Sequence, residues 1–279
     1  DFNVAARKVV HRLGQAMDRG SVIQSVAAMP DQSQQHGRSA PSTVVDLKDR
    51  MVVLKPPGWQ VDTEGEANLG QPHRARRWLS EYVQARLSSR ACPIVHDTKH
   101  HCGFLHRLDV PSSGLLLVAK TYTAYYDLQL QLNSGSLQRD YLVLLHGWMP
   151  LGLRDVRLRV FSRQGHDSPS SIRREGKPCR TCFLATAWSS WWRAAVALNA
   201  VRIGTGRTHQ IRVCSAHLGH PTVTDGKYTA NDTFMSDSVW CRQNFLHRGR
   251  LGFQDMDGLE QEALEPLPED LLAVLESLT

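Results

Sequence analysis

The chain has 279 residues, 41% of them hydrophobic and 22% charged, with a formal net charge of +6 and an isoelectric point near 9.1. That length and apolar fraction allow a sizeable core, in one large domain or two small ones. No apolar run approaches the roughly eighteen residues of a membrane span, so a soluble globular protein is expected, and the positive balance points to an anionic partner, nucleic acid before others.

The chain begins at Asp1 rather than at methionine, so a preceding segment is expected to have been removed or left out. Residues 3–17, NVAARKVVHRLGQAM, space their apolar side chains as an amphipathic helix with a basic face. Such a helix could follow an organellar presequence, although Asp1 and Asp18 do not suit a transit peptide itself. The expected location is intracellular, with mitochondrion and plastid left open. Residues 30–43 are polar and rich in Pro, Ser and Gln, and they read as a linker. The expected division is therefore a helical extension and linker over 1–43, then one main domain over 44–279.

A strand pair is expected around Val44–Leu47 and Met51–Leu54, stopped by Lys55-Pro56-Pro57-Gly58. Pro72–Leu87 reads as a helix burying Trp78, Leu79, Tyr82, Val83 and Leu87, with Arg74, Arg76 and Arg77 on a solvated face. Leu115–Lys120 is a short apolar strand, residues 121–135 a helix ending at Gly135, and residues 140–147 another strand. Further strands are expected at 153–160, 181–188 and 194–203. Residues 206–221 read as a helix with Gly219 as its stop and Pro221 beyond. Strands outnumber helices without regular alternation. That argues for an α+β fold with a mixed, largely antiparallel sheet.

The six cysteines form no regular framework, and reduced thiols are the default in a chain this long. Cys179 and Cys182 make a C-x-x-C, but three residues apart on a strand they face opposite sides and cannot share a zinc ion. Among His209, His217 and His220 only the last two fall within one helical turn, with no acidic partner, so no metal site is expected. No G-x-x-x-x-G-K or G-x-G-x-x-G loop is present to cradle a nucleotide.

Polar residues crowd into three Gly-punctuated stretches. His106-Arg107-Leu108-Asp109-Val110-Pro111-Ser112-Ser113-Gly114 sets a carboxylate two residues from an arginine, on a turn that feeds the 115–120 strand. That arrangement serves either an active site or an ion pair tying down a loop. Gly204–Val213 is a Gly-flanked helix entry where backbone N–H groups, arginines and Gln210 could dock a phosphate. Leu54–Gly58 is a strand end closed by a rigid turn.

Residues 106–120, HRLDVPSSGLLLVAK, resemble the signature H-R-L-D-x-x-T-S-G-L-L-L-x-A-K of the RluA-type RNA pseudouridine synthases. GTGRTHQIRV and AHLGHP are similar to that family's later motif, LKPPG to its K-P-x-G, and RDYLVLLHG to its K-x-Y strand. LHRGRLGF and LPEDLLAVL are similar to its closing L-H-A-x-x-L-x-F and final helix. The resemblance runs in order from about Val44 to Leu275 and leaves the N-terminal helix and linker outside.

The resemblance implies a pseudouridine synthase fold, its mixed sheet flanked by helices around a central RNA-binding cleft. It implies an isomerase that breaks the C1′–N1 bond of a uridine in ribosomal or transfer RNA, turns the base and rejoins it through C5. Neither a metal nor an organic cofactor takes part. The catalytic carboxylate maps onto Asp109, as nucleophile or as base. Arg107 maps onto the residue that fills the space left by the flipped base, and Tyr141 onto the ring against the uracil. Arg212 maps onto the cation that pairs with the catalytic carboxylate and keeps it ionised, and Ile211 onto an apolar floor. Gln210 joins the substrate-binding set by position, although with His106 and Lys55 its expected weight is structural.

Several positions depart from the pattern. Ser112 stands for threonine, Arg139 for the lysine of K-x-Y, and Cys214 and Ser215 for histidine and leucine. Thr224 and Thr229 stand for two glycines, and Arg248 for an alanine. If those glycines take positive φ, the loop near Asp225 must differ in shape. An active enzyme is the leading expectation. The alternative is a synthase-like subunit that binds RNA or acts as scaffold in a larger ribonucleoprotein or organellar assembly, and a metal-dependent hydrolase stands third.

Overall fold

The computed structural model describes residues 2–15, 40–62, 77–163, 168–191 and 194–278. The chain divides into two compact units, the first of Asp1–Gly20, Gln138–Arg250 and Pro266–Thr279, the second of Ser21–Leu137 and Leu251–Glu265. Helix α1 (Phe2–Gln15) opens the first unit. Its Ala6 and Val9, one turn apart, are buried while Arg7 and Lys8 are exposed, the two faces expected of an amphipathic helix. The expected linker over 30–43 lies, up to residue 39, outside the described residues.

In the second unit, β1 (Ser42–Asp46) pairs antiparallel with β2 (Arg50–Lys55). A small parallel pair, β3 (Trp59–Gln60) and β4 (Arg77–Trp78), precedes α2 (Leu79–Gln84). β5 (Ser113–Ala119) pairs antiparallel with β2 and sets Gly114 opposite Lys55. Both strands are buried along their whole length, which is why each reads as an unbroken apolar run rather than an alternation. α3 (Tyr122–Ser134) starts at Thr121, whose Oγ1 accepts from the Ala124 N–H at 3.1 Å, and ends at Gly135 with φ of 81°. Both ends thus carry a cap of the expected kind. Fully buried Arg50 ties β2 to α3 by donating to Asp127 at 2.9 Å.

The helix expected over 72–87 is much shorter. Arg74 and Arg76 lie outside the described residues, and Trp78 is extended because it pairs in β4. Leu79 and Val83 are buried as expected, whereas Trp78, Tyr82 and Leu87 are half-buried.

In the first unit, β6 (Gln138–His146), β7 (Asp155–Phe161), β8 (Ser171–Ile172), β9 (Lys177–Trp191) and β10 (Ala194–Ile203) take the order β6-β10-β9-β7-β8. Every neighbouring pair is antiparallel, with Tyr141 opposite Val201 and Asp140 opposite Arg202. α4 (Gln210–His217) and α5 (Asn231–Trp240) follow. β11 (Leu246–Gln254) belongs to this unit up to Arg250; β12 (Glu260–Leu264) pairs with it in the second unit. α6 (Glu269–Ser277) returns to the first. The core joins Leu142 and Leu144 of β6, Val196 and Leu198 of β10, Phe245, and Leu271 and Val274 of α6, together with Ala6 and Val9. α1 lies against β9 and β10, so the N-terminal helix contributes to this core; each fully buried aliphatic side chain there stabilises by about 1.5–3 kcal/mol.

The architecture is the α+β one expected, largely antiparallel with several helices. α5 was not foreseen, because its buried residue is Asp237 rather than an apolar stripe. Among the described residues no helix is long and apolar enough to cross a membrane.

Candidate active site

In the second unit the HRLD loop is fixed from beneath. Asp109 is half-buried and Arg107 exposed, with Leu108 packed under them. The Asp109 carbonyl accepts from the Ser112 N–H at 3.0 Å, closing a tight turn into β5. The next carbonyl, Val110, accepts from the Gly58 N–H at 2.7 Å and from Lys55 Nζ at 3.3 Å. Lys55 also donates to the carbonyls of Pro56 at 3.0 Å and Trp59 at 2.9 Å. Three carbonyls match the three N–H groups of an ammonium. The KPPG turn, with Gly58 at φ of 81°, therefore clasps the loop that carries Asp109. Burial pulls the Lys55 pKa down to about 7, and the negative charge of Asp109 opposes that fall.

In the first unit Tyr141 of β6 is buried, and Arg139, two residues away, shares its face of the strand. The Tyr141 hydroxyl accepts from Arg248 Nε at 2.9 Å and also from its Nη2. The Arg248 guanidinium lies 4.9 Å from the Tyr141 ring centroid, in cation–π range. Burial lowers the Arg139 pKa to about 10, with Tyr141 opposing and the neighbouring charge of Arg248 adding to the fall. On the opposite face Asp140 accepts from Arg202 twice at 2.6 Å and from Arg250 at 2.8 Å.

Arg212 on α4 is buried and forms a two-pronged pair with Asp225, Nε to Oδ2 at 2.8 Å and Nη2 to Oδ1 at 2.6 Å. The Thr222 hydroxyl and the Lys227 N–H donate to the same carboxylate at 2.8 and 3.0 Å. Burial pushes the Asp225 pKa up, but these donors, Arg212 first, outweigh it and hold the carboxyl below its ordinary value. Asp225 escaped the sequence reading as a functional residue. Ile211 is buried beside Arg212.

Gln210 has no group to offer a substrate. Its Oε1 accepts from Thr205 Oγ1 at 2.7 Å and the Arg207 N–H at 3.1 Å, and its Nε2 donates to the Arg180 carbonyl at 2.9 Å and Thr181 Oγ1 at 3.1 Å. It staples the GTGR turn to β9. The same turn consumes backbone groups that the sequence suggested for a phosphate: the Gly204 N–H donates to the Arg180 carbonyl, and the Arg207 N–H is held by Gln210. α4 begins at Gln210, later than expected, because His209 has φ of 55° and breaks the helix before it.

Thr224 takes φ of 56° itself. Its N–H donates to Asp237 at 2.9 Å and its hydroxyl to the Cys241 carbonyl at 2.8 Å. Asp237 is also bonded to His146 at 2.8 Å. The left-handed turn suited to glycine is thus kept at position 224 by two hydrogen bonds, while Thr229 is not left-handed. Cys179 and Cys182 face apart as expected: the first lies 3.7 Å from Cys214 Sγ, the second bonds Asp155.

The expected residues are thus divided, with Asp109 and Arg107 in the second unit and Tyr141, Ile211 and Arg212 in the first. Over 272 residues the chain is 28% identical to ribosomal large subunit pseudouridine synthase D of Nitrosomonas europaea, across 93% of this chain and 72% of that protein. It is 33% identical over 182 residues to ribosomal large subunit pseudouridine synthase C of Escherichia coli, across 62% of this chain and 55% of that protein. The chain thus spans about half the length of that second relative. The fold is similar to human RNA pseudouridylate synthase domain containing 1, with a TM-score of 0.60 at 23% identity, covering 82% of this chain and 84% of that one. Residues 49–217, a stretch that contains Lys55, Arg107, Asp109, Tyr141 and Arg212, match the model of the RNA pseudouridylate synthases, and the chain belongs to that family.

Proposed function

We propose that the protein isomerises uridine to pseudouridine in ribosomal RNA, with Asp109 as its catalytic carboxylate. The observation that carries this reading is the clasped loop. Asp109 is half-exposed on a turn whose next carbonyl is pinned by Gly58 and by the buried Lys55, and pinning of that kind keeps a reacting group in place. The ribosomal substrate is taken from the names of the bacterial relatives.

In the reaction the carboxylate either attacks C1′ of the target uridine or takes a proton from the sugar as N1 departs. The base then turns and C5 bonds to C1′, displacing the carboxylate in the first route or with the proton returned to the sugar in the second; the C5 hydrogen leaves as a proton and N1 takes one up. No atom is gained or lost overall apart from that exchange with water. Either role needs the carboxylate ionised. To Arg107, exposed on the same turn, we assign the filling of the space of a base drawn from its stack, an extraction that costs a few kcal/mol. Tyr141 is the ring for the uracil, and Arg212, fixed by Asp225, is the cation that the motif assigns to the carboxylate.

The test is release of tritium from RNA labelled at uracil C5, taken from cells that lack the protein. Release by the wild type and none by Asp109→Asn is expected. Equal release by both would overturn the role of Asp109, and none from either would favour an RNA-binding subunit without turnover.

A further inference from the structure

Beside the turn that enters α4, the first unit carries a recess of about 810 Å³ bounded by Phe161, Arg163, Lys177, Gly206 and Arg207. Two glycines shape it. A Cβ at Gly176 would lie 2.6 Å from the Val160 carbonyl carbon and 2.8 Å from that of Arg159, so only glycine fits and part of the floor is bare backbone. Gly206 is exposed, and a Cβ there would lie 3.0 Å from Arg139 Nη1. Arg139 itself is 1% exposed, and its Nε has no hydrogen-bond partner among the described residues. A buried, incompletely bonded guanidinium thus stands directly behind an open glycine.

The walls are cationic. Arg163 and Lys177 are exposed, and Arg207 is half-buried with its Nε anchored on the Pro178 carbonyl at 3.0 Å. Among the described residues Glu175 is the one carboxylate in the lining. Asp155, at the other end of β7, is engaged by Arg157 and Arg180. Arg173 lies over the Phe161 ring at 5.1 Å from its centroid, so a half-buried aromatic face sits within this charge. Cations that track a backbone, combined with an aromatic platform, are what single-stranded nucleic acid requires.

We propose that this recess binds a single-stranded segment of RNA, its phosphates on Arg163, Lys177 and Arg207 and a base against Phe161. It rests on the reading that the protein's substrate is RNA, and gives that RNA an attachment separate from the uridine being modified. No residue of the recess walls has a part in the chemistry proposed for Asp109.

Binding of a fluorescent single-stranded oligoribonucleotide would be measured by anisotropy over a range of salt. The variant Arg163→Glu with Lys177→Glu is expected to bind at least about tenfold more weakly. Its slope of log affinity against log salt should fall by about 1.4, from two lost contacts at about 0.7 each. Phe161→Leu should lose about tenfold with its salt slope unchanged, because a stack carries no charge. Melting followed by circular dichroism would establish that each variant is folded. Unchanged affinity and slope in the double variant would overturn the proposal. So would displacement of the RNA by polyglutamate with Phe161→Leu binding as wild type, since that marks an acidic protein as the ligand. Tritium release at saturating RNA separates the two readings. The double variant should turn over like the wild type if Asp109 acts as proposed; if no protein releases tritium, the affinities still decide the recess.

Discussion

Lys55 Nζ donates to the carbonyl of Val110, the residue that follows Asp109, while the Asp109 charge raises the Lys55 pKa against the pull of burial. The two residues are 54 positions apart in sequence yet are joined because β2 pairs with β5 and sets Lys55 opposite Gly114. A strand end and a strand start are thereby brought together, and the loops that leave them must meet.

Lys55 should accordingly titrate near pH 7 in the wild type and lower in Asp109→Asn, where the opposing charge is gone. Its folded pKa of about 7 lies below the ordinary 10.5. Between those values the unfolded chain binds a proton that the folded chain does not, so this group's contribution to stability rises with pH across that window. Below about pH 7 both states carry the proton and the contribution is constant at its lowest. Carbon NMR of labelled lysine side chains reads the titration directly. Identical Lys55 curves in both proteins would show that the Asp109 charge does not reach it.

Asp225→Ala should destabilise the protein by about 3–5 kcal/mol, because it leaves the guanidinium of Arg212 buried without its carboxylate. Urea unfolding measures the loss. The pH dependence has the same sign as that of Lys55, stability rising with pH, but it lies in the acid range. The Asp225 pKa is held below 3.8, so its stabilisation is present above that value and fades as pH falls through the lower folded value. A variant as stable as wild type at neutral pH would mean that the pair contributes nothing net.

The hydrophobic patterning and the caps were enough to place β2, β5, α3 and β10, with β2 stopped at the KPPG turn and α3 at Gly135. They failed where polar groups do the holding. α5 buries Asp237, which bonds His146 and the Thr224 N–H, and no apolar period records that. Asp109 and Arg212 were legible through their motifs. Their partners Lys55 and Asp225 were less so, because each partnership depends on pairing between strands or on a loop's path. Arg248 stood out only as an odd residue in a familiar string; its bond to Tyr141 comes from two strands lying side by side.

Arg248→Ala, which restores the residue usual in the motif, should remove a charge-assisted bond from the Tyr141 hydroxyl. A cycle with Tyr141→Phe should give a coupling of about 1.5–3 kcal/mol in stability, the range for a hydrogen bond to a charged group. Additive effects of the two substitutions would show that Arg248 does not hold the ring, whatever its effect on turnover.

Thr224 offers a test of how a glycine position tolerates another residue. Its φ of 56° costs about 1–2 kcal/mol for a residue with a Cβ. Its hydroxyl bond to the Cys241 carbonyl returns about 1 kcal/mol. In Thr224→Gly the strain and the bond disappear together, while the freer unfolded chain costs up to about 1 kcal/mol; stability should stay within about 1 kcal/mol of wild type. In Thr224→Val the strain remains, the bond is lost and a buried carbonyl loses a donor, so a loss of about 1–3 kcal/mol is expected. Urea midpoints of the two variants check the order. If valine were tolerated as well as glycine, the hydroxyl would not be what holds the left-handed turn, and the backbone bond to Asp237 would have to hold it alone.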